Sequence, residues 1–167
     1  MIALLQRVTR AAVHVDGREV ARIDGGLAVL VGVLPDDREV DAEILLSRVL
    51  AYRIFDDESG RMNRSLRDVG GGLLLVPQFT LAADTRKGLR PGFSQAAPPA
   101  VAQRLFDHMA AFARVNHLPD GPAGAVQCGV FGAPMQLSLT NDGPATFWLE
   151  HPSTATSRAS SAPLHTE

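Results

Sequence analysis

Two unbroken apolar runs, Leu27 to Val33 and Leu73 to Val76, constrain this chain more than any other feature. Each is too short for a helix of ordinary length and too continuous for a strand with one wet face, so both read as strands buried inside a sheet. Gly25-Gly26 leads into the first, and Gly70-Gly71-Gly72 permits a sharp entry into the second. Pro77 ends the second run by removing a backbone donor from the ladder. If the backbone stays extended past Pro77, Gln78 and Thr80 point to one face and Phe79 and Leu81 to the other. That places an amide and a hydroxyl side by side at the mouth of a core strand. Taken alone, the plainer reading of the pair is a strand end whose polar groups satisfy loop backbone.

A length of 167 residues suits one domain with a real core, and 46% apolar content argues against global disorder. The net charge of −2 exerts no bulk pull toward nucleic acid, so RNA binding would need a local patch. Cys128 is the only cysteine, which excludes an internal disulfide and any multi-cysteine metal site and is compatible with a reducing cytosol. Met1 to Leu5 is too short for a signal peptide, and Gly26 to Leu34 is far below the roughly 18 residues of a membrane span.

Around the two runs, residues 2–9 and 13–16 read as strands. Asp16-Gly17 is a hairpin turn, with 20–23 as the return strand. Asp36 with Glu39 three residues later suggests a capping box for a helix reaching about Tyr52, striped by Val40, Ile44, Leu45, Val49 and Leu50. Asp56 to Gly60 is acidic but lacks calcium-loop spacing, so it reads as a solvated turn. Pro98-Pro99 opens a second helix with Val101, Leu105, Met109 and Phe112 as its apolar stripe. Residues 126–130, 135–139 and 146–149 read as strands, with a tight turn at 141–146. An X-Pro bond is cis in only about 5–6% of cases, so Gly143-Pro144 on its own predicts trans. Residues 151–167 lack apolar periodicity and read as a flexible tail outside a 1–150 domain.

Val76-Pro77-Gln78-Phe79-Thr80-Leu81 together with Asn141-Asp142-Gly143-Pro144-Ala145-Thr146 resembles the D-aminoacyl-tRNA deacylases, whose two signatures are close to SQFTL and NxGPxT. Gln6 to Ala11, Arg53-Ile54-Phe55, Met62-Asn63, Arg86-Lys87-Gly88, Arg90-Pro91, Phe93-Ser94, Ala96 to Pro99 and Gly129 to Ala133 agree in the same register. The resemblance spans residues 1 to about 150. It implies an α/β fold, a barrel-like and mostly antiparallel sheet with two main covering helices, in a homodimer. It implies hydrolysis of the ester joining a D-amino acid, or glycine, to the 3′-terminal adenosine of tRNA. Gln78, Phe79 and Thr80 would line the catalytic pocket. Gly143-Pro144 would be held cis and reach into the neighbouring subunit's site to reject L-aminoacyl-tRNA, with Arg7 helping to hold it. The implied setting is the cytoplasm, with tRNA as partner and no cofactor, metal, membrane or DNA.

Arg86, Lys87 and Arg90, three cations on a Gly/Pro loop just after the candidate pocket, are placed to hold tRNA phosphates. Arg7, Arg10 and His14, each taken alone, read as ordinary surface residues of a half-exposed sheet. No Ser-His-Asp order or metal motif is legible, and His14, His108 and His117 have no partner carboxylate at motif spacing. Hydrolysis would therefore rest on positioning, on backbone N–H groups near Phe79-Thr80, and on the substrate's own ribose 2′-hydroxyl. Thr80 as covalent nucleophile is the second choice, because no base is evident to activate it. Three positions depart from the family pattern: Pro77 for Ser, Gly92 for Ser and Pro134 for Asp. Pro77 loses both a hydroxyl and a backbone donor. It motivates the alternative of a non-catalytic tRNA 3′-end-binding protein on the same scaffold. A related editing fold that clears L-amino acids is the rival within the enzyme class, and the Gly-Pro turn argues against it.

Overall fold

In the computed structural model, which describes residues 1–86, 88–117 and 125–155, the two apolar runs lie side by side at the centre of one sheet. In chain order the elements are β1 (Ile2–Val15), β2 (Arg18–Ile23), β3 (Gly26–Gly32), α1 (Glu39–Ala51), β4 (Phe55–Asp56), β5 (Met62–Arg64), α2 (Leu66–Val69) and β6 (Gly72–Pro77). A 3₁₀ turn (Phe79–Ala82), α3 (Pro99–Asn116), β7 (Val126–Cys128) and β8 (Gln136–Glu150) follow. β3, β6 and β7 are parallel neighbours, and the crossovers between them carry α1 with α2, and then α3. β1 pairs antiparallel with β2, β3 and β8. The result is a mixed, nearly closed, barrel-like sheet.

Continuous hydrophobicity in the central strands is explained by two cores. Leu27, Val29, Val31, Leu73 and Leu75 face α1 and α3, while Ala28, Leu74 and Val76 face the inside of the barrel with Val8, Ala11, Val13 and Ile23. The glycines before the two runs serve a close approach. A Cβ on Gly26 would lie 2.0 Å from the Gly72 carbonyl oxygen, so the corner leading into β3 can sit against the start of β6 only without one.

Two boundaries differ from the sequence expectation. The strands expected at 2–9 and 13–16 are one strand, because β8 pairs with β1 from Ile2 to His14 and no breaker interrupts it. Asp16 and Gly17 then make the expected hairpin turn with φ of 50° and 75°. Helix α1 begins at Glu39, not at an Asp36–Glu39 box: Asp41 reaches back to the Arg38 amide at 2.8 Å. Asp37 is occupied elsewhere, accepting from the Leu34 amide at 2.7 Å and from the Met1 ammonium at 2.8 Å. Helix α3 starts at Pro99 as expected and buries Leu105 and Met109, with Phe106 as a further core residue.

The five residues 151–155, expected in the free tail, are seated on this N-terminal corner. His151 exchanges backbone hydrogen bonds with Met1, Ser153 Oγ donates to the Asp36 carbonyl at 2.5 Å, and the Thr154 amide donates to Asp41 at 2.9 Å. Polar composition concealed this because the contacts are hydrogen bonds, not apolar burial. Residues 156–167 of the expected tail lie outside the described residues.

Asp41 is fully buried. Burial opposes its ionisation, but bonds from Thr154 and Arg38 outweigh that and leave it below the ordinary carboxylate range. Its contribution to stability is therefore complete above an unfolded pKa of about 3.9 and lost as pH falls through the lower folded value. Asp37 runs the other way: burial raises it, so its ionisation lowers stability as pH rises past the same range. Asp41→Ala should cost about 2 kcal/mol in urea unfolding at neutral pH, by freeing two backbone donors. The gap from the parent should narrow toward pH ~3, where the parent itself loses the Asp41 contribution.

Candidate active site

Gln78 holds the ladder for one residue beyond Pro77, its amide donating to the Val31 carbonyl at 2.8 Å. The backbone then turns. Phe79–Ala82 is a 3₁₀ turn, not an extended continuation, and it lies directly on β3. Gly32 makes this contact available, since a Cβ there would sit 3.0 Å from Leu81 Cβ. The expected alternation of faces is thus replaced by a curl that still brings the amide and hydroxyl together: Gln78 Nε2 donates to Thr80 Oγ1 at 2.5 Å. Leu81 N–H bonds back to the Gln78 carbonyl and Ala83 N–H to that of Thr80. The amides of Phe79 and Thr80, the first two of the turn, have no such acceptor. They are two adjacent donors without a partner among the described residues. Phe79 is half exposed and packs on Phe93, with ring centroids 5.1 Å apart.

Beside this turn is an apolar cavity of about 450 Å³, within the size range of small-molecule sites. Pro77, Gln78, Ala97, Phe131, Pro134 and Met135 are among its lining residues. Pro77 also alters the ladder behind it. In the β6–β7 register Leu73 donates to Ala125, and Gly129 donates to Leu75. The next donor in that series would be residue 77, which as proline has none. The proline ring fills that place, packed 3.2 Å from where a Cβ on Gly129 would stand.

The second motif is not a separate turn before a short strand. It is an excursion inside β8. Gln6 pairs with Thr146 while Val8 pairs with Asn141, so residues 142–145 are pushed out of the ladder. The Gly143-Pro144 peptide is cis, against the base rate for such bonds. Both residues are exposed, and neither lines the chain's own cavity. Arg7, expected on the sheet surface or beside this pair, is almost fully buried beneath it. Its Nε donates to the Asp142 carbonyl at 3.0 Å and lies 3.1 Å from the Asp142 carboxylate. Its NH1 donates to the Ile54 carbonyl at 2.7 Å and to Asp56 at 3.3 Å. Asn141 closes the loop from the other side, donating to the carbonyls of Arg7 and Ala145 at 3.0 and 3.3 Å. Sequence reasoning gave Asn141 and Asp142 no role. Their signal was the N-D-G-P spacing itself, because Asx side chains tie down excursions of this kind.

The basic loop is less free than its sequence suggests. Arg86 is clamped on Asp84, Nε and NH2 each 2.8 Å from a carboxylate oxygen, and this holds the Asp84 carboxyl well below its usual range. Arg90 is exposed and has no ion pair among the described residues, and Lys87 lies outside them. The histidines are engaged elsewhere: His108 with Glu43 at 2.8 Å between α1 and α3, and His117 with the Gly71 carbonyl at 2.8 Å. Among the described residues no group of three ligating side chains could hold a metal, and the side-chain hydrogen-bond partner of Thr80 is the Gln78 amide, not a titratable group.

The family model described as D-Tyr-tRNA(Tyr) deacylase matches residues 4–150. A D-aminoacyl-tRNA deacylase of Thioalkalivibrio sulfidiphilus is 58% identical over 152 residues, 91% of this chain and 98% of that protein. One from Stutzerimonas stutzeri is 58% identical over 150 residues, covering 90% and 99%. Among solved structures, one titled c-Myc DNA Unwinding Element Binding Protein superposes with a TM-score of 0.85 at 36% identity, covering 92% of this chain and all of that one. A probable eukaryotic D-amino acid tRNA deacylase shares the fold, with a TM-score of 0.72 at 21% identity over 89% of this chain and 98% of its own. With both signature stretches placed on one scaffold and the match running nearly end to end, the chain belongs to the D-Tyr-tRNA(Tyr) deacylase family of hydrolases.

Proposed function

We propose that this protein hydrolyses the ester of D-aminoacyl-tRNA, and of glycyl-tRNA, in the cytoplasm, as a homodimer. Water adds to the ester carbonyl, the bond to the ribose 3′-oxygen breaks, and free amino acid and tRNA leave. The observation that carries this reading is the turn at 78–80. Its two unpartnered amides stand side by side at the rim of an apolar cavity, a donor pair suited to a developing oxyanion. Gln78 and Thr80 orient the ester. Thr80 accepts from Gln78 and has no base beside it, so it acts by positioning, and the substrate's 2′-hydroxyl assists proton transfer. An aminoacyl ester is already activated, so this modest apparatus suffices.

Gly143 and Pro144 set chirality by steric exclusion. Since they lie away from their own chain's cavity, they act on the partner subunit's, as the family resemblance implies. Arg7 and Asn141 hold the excursion that presents them. Arg90, more than the neutralised Arg86, supplies phosphate affinity from the loop. No described helix is long and apolar enough to cross a membrane.

The test is hydrolysis of matched D-tyrosyl-, L-tyrosyl- and glycyl-tRNA: the first and third should be cleared and the second spared. Thr80→Ala should lower kcat about 10- to 100-fold and leave residual turnover. Complete loss, with an acyl-enzyme trapped in the parent, would make Thr80 the nucleophile instead. The second reading, a binding protein without turnover, is favoured by Pro77 in the cavity wall. Tight tRNA binding with no release of D-tyrosine would establish it.

A further inference from the structure

The outer face of the sheet carries a second set of convergent polar groups. Arg10, Ala12 and His14 alternate toward that face on β1, opposite Thr140, Ser138 and Gln136 on β8, with Arg22 of β2 beside Ala12. Ala12 and Ser138 are small, and they leave a depression of about 220 Å³ walled by Arg10, His14, Arg22, Ser138 and Thr140. Leu137 lies one residue away on the opposite face of β8 and lines the apolar cavity, so the two sites sit back to back on one strand.

The charges here are not balanced. Arg22 is held by Glu19 at 2.9 and 2.5 Å, and the same carboxylate lies 3.8 Å from His14 Nε2. Arg10 has no carboxylate partner among the described residues. Its Nε donates to Thr140 Oγ1 at 3.2 Å, which fixes the guanidinium at the depression and leaves its terminal nitrogens free. Glu19 and Asp24 both act on Arg22, so the unmatched charge at the depression is that of Arg10, whereas Arg86 of the sequence-predicted basic loop is matched by Asp84. A guanidinium fork with two hydroxyls and an imidazole is a donor set for phosphate oxygens. No Phe, Tyr or Trp ring lines the depression to stack a base.

We infer that Arg10, Ser138 and Thr140, flanked by Arg22 and His14, form a seat for a backbone phosphodiester of the tRNA. The inference rests on the hydrolytic reading above for the identity of the RNA. Thr140 stands two residues before Asp142, where the excursion leaves β8. In the proposed dimer, the excursion that would enter the partner's cavity starts beside this seat.

The experiment is fluorescence anisotropy of labelled, deacylated tRNA with the full chain between about 50 and 200 mM salt. Arg10→Ala should weaken binding about tenfold and reduce the log–log salt slope by about 1. Ser138→Asp, a substitution at an exposed position that places a carboxylate in the depression, should weaken it further. Arg104→Ala on α3 is the control for charge loss elsewhere. Unchanged slopes for Arg10→Ala and Ser138→Asp, or no tRNA binding by the parent, would overturn the seat. A parent that binds with this salt dependence but releases no D-tyrosine overturns hydrolysis and leaves the seat standing. A parent that hydrolyses while both variants keep its slope overturns the seat alone.

Discussion

Arg7→Ala should unfold about 3 kcal/mol more easily than the parent and should begin to clear L-tyrosyl-tRNA. The stability loss follows from what the guanidinium leaves behind. Two carbonyls, of Ile54 and Asp142, lose charged donors at 2.7 and 3.0 Å in a place where only 6% of the Arg7 surface is exposed. A buried acceptor left unsatisfied costs about 1–3 kcal/mol, and the vacated stem adds a void. The pairs with Asp56 and Asp142 are half exposed on the carboxylate side and add little. The functional effect follows from the same contacts, since Arg7 ties the excursion to the Ile54 segment and without it the side-chain hydrogen bond left to residues 142–145 among the described residues is that of Asn141. Arg7→Lys should recover part of the stability but little of the discrimination, because one ammonium cannot span both carbonyls in the geometry of a planar fork. Urea unfolding and the ratio of D- to L-tyrosyl-tRNA clearance measure the two arms. Parental values in both would show that Arg7 does not hold the loop.

Trp148→Glu should break the proposed homodimer into monomers at micromolar concentration, with turnover falling at least 100-fold. Across the sheet Trp148 pairs with Leu4, Leu4 with Leu30, and Leu30 with Val76, giving one apolar row from the edge strand to the cavity wall. The helices cover the other face, where Leu149 belongs to the core. Trp148 itself is 52% exposed. Covering that half of a side chain of roughly 250 Å² is worth about 3 kcal/mol. In a two-fold interface the contribution counts twice. The glutamate forfeits it and brings one charge from each protomer into the proposed interface. Because Trp148 is exposed in the single chain, the substitution should leave the fold intact. In the proposed dimer, loss of the neighbour uncovers the apolar row beside each cavity, which lowers turnover, and removes Gly143 and Pro144, which loosens discrimination. Sedimentation velocity with a parallel turnover assay decides it. A dimer that persists, or a monomer that still clears D- and spares L-tyrosyl-tRNA, would contradict the shared-site reading.

Much of this architecture was legible in the chain because it rests on local chemistry. Continuous hydrophobicity in Leu27 to Val33 and Leu73 to Val76 specified doubly buried strands, since only a sheet covered on both faces can bury every residue of such runs. Asp16-Gly17 specified a hairpin by its tolerance of positive φ, and Pro98-Pro99 specified a helix start by the donor it lacks. Gln78, Thr80, Gly143 and Pro144 could be picked out as residue types in two motifs. Which groups meet was settled by packing over long sequence separations. The capping box of α1 closes on Asp41, not on Asp36 and Glu39, because the N-cap falls at Arg38, whose amide donates to Asp41. Residues 151–155 join the fold because Asp36, Asp41 and Met1 offer them backbone partners. Arg86 reads as a free cation until Asp84 is seen to clamp it, and Arg10 reads as an ordinary surface residue until β8 sets Thr140 against it. Gln78 reaches Thr80 through a 3₁₀ turn that Gly32 of another strand makes room for, and Arg7 reaches Asp142 across 135 positions. Propensity and periodicity report a residue's preference for its neighbours along the chain. They carry no information about the partner that a long-range register places opposite it, and that register decides which charge is spent and which is free to bind.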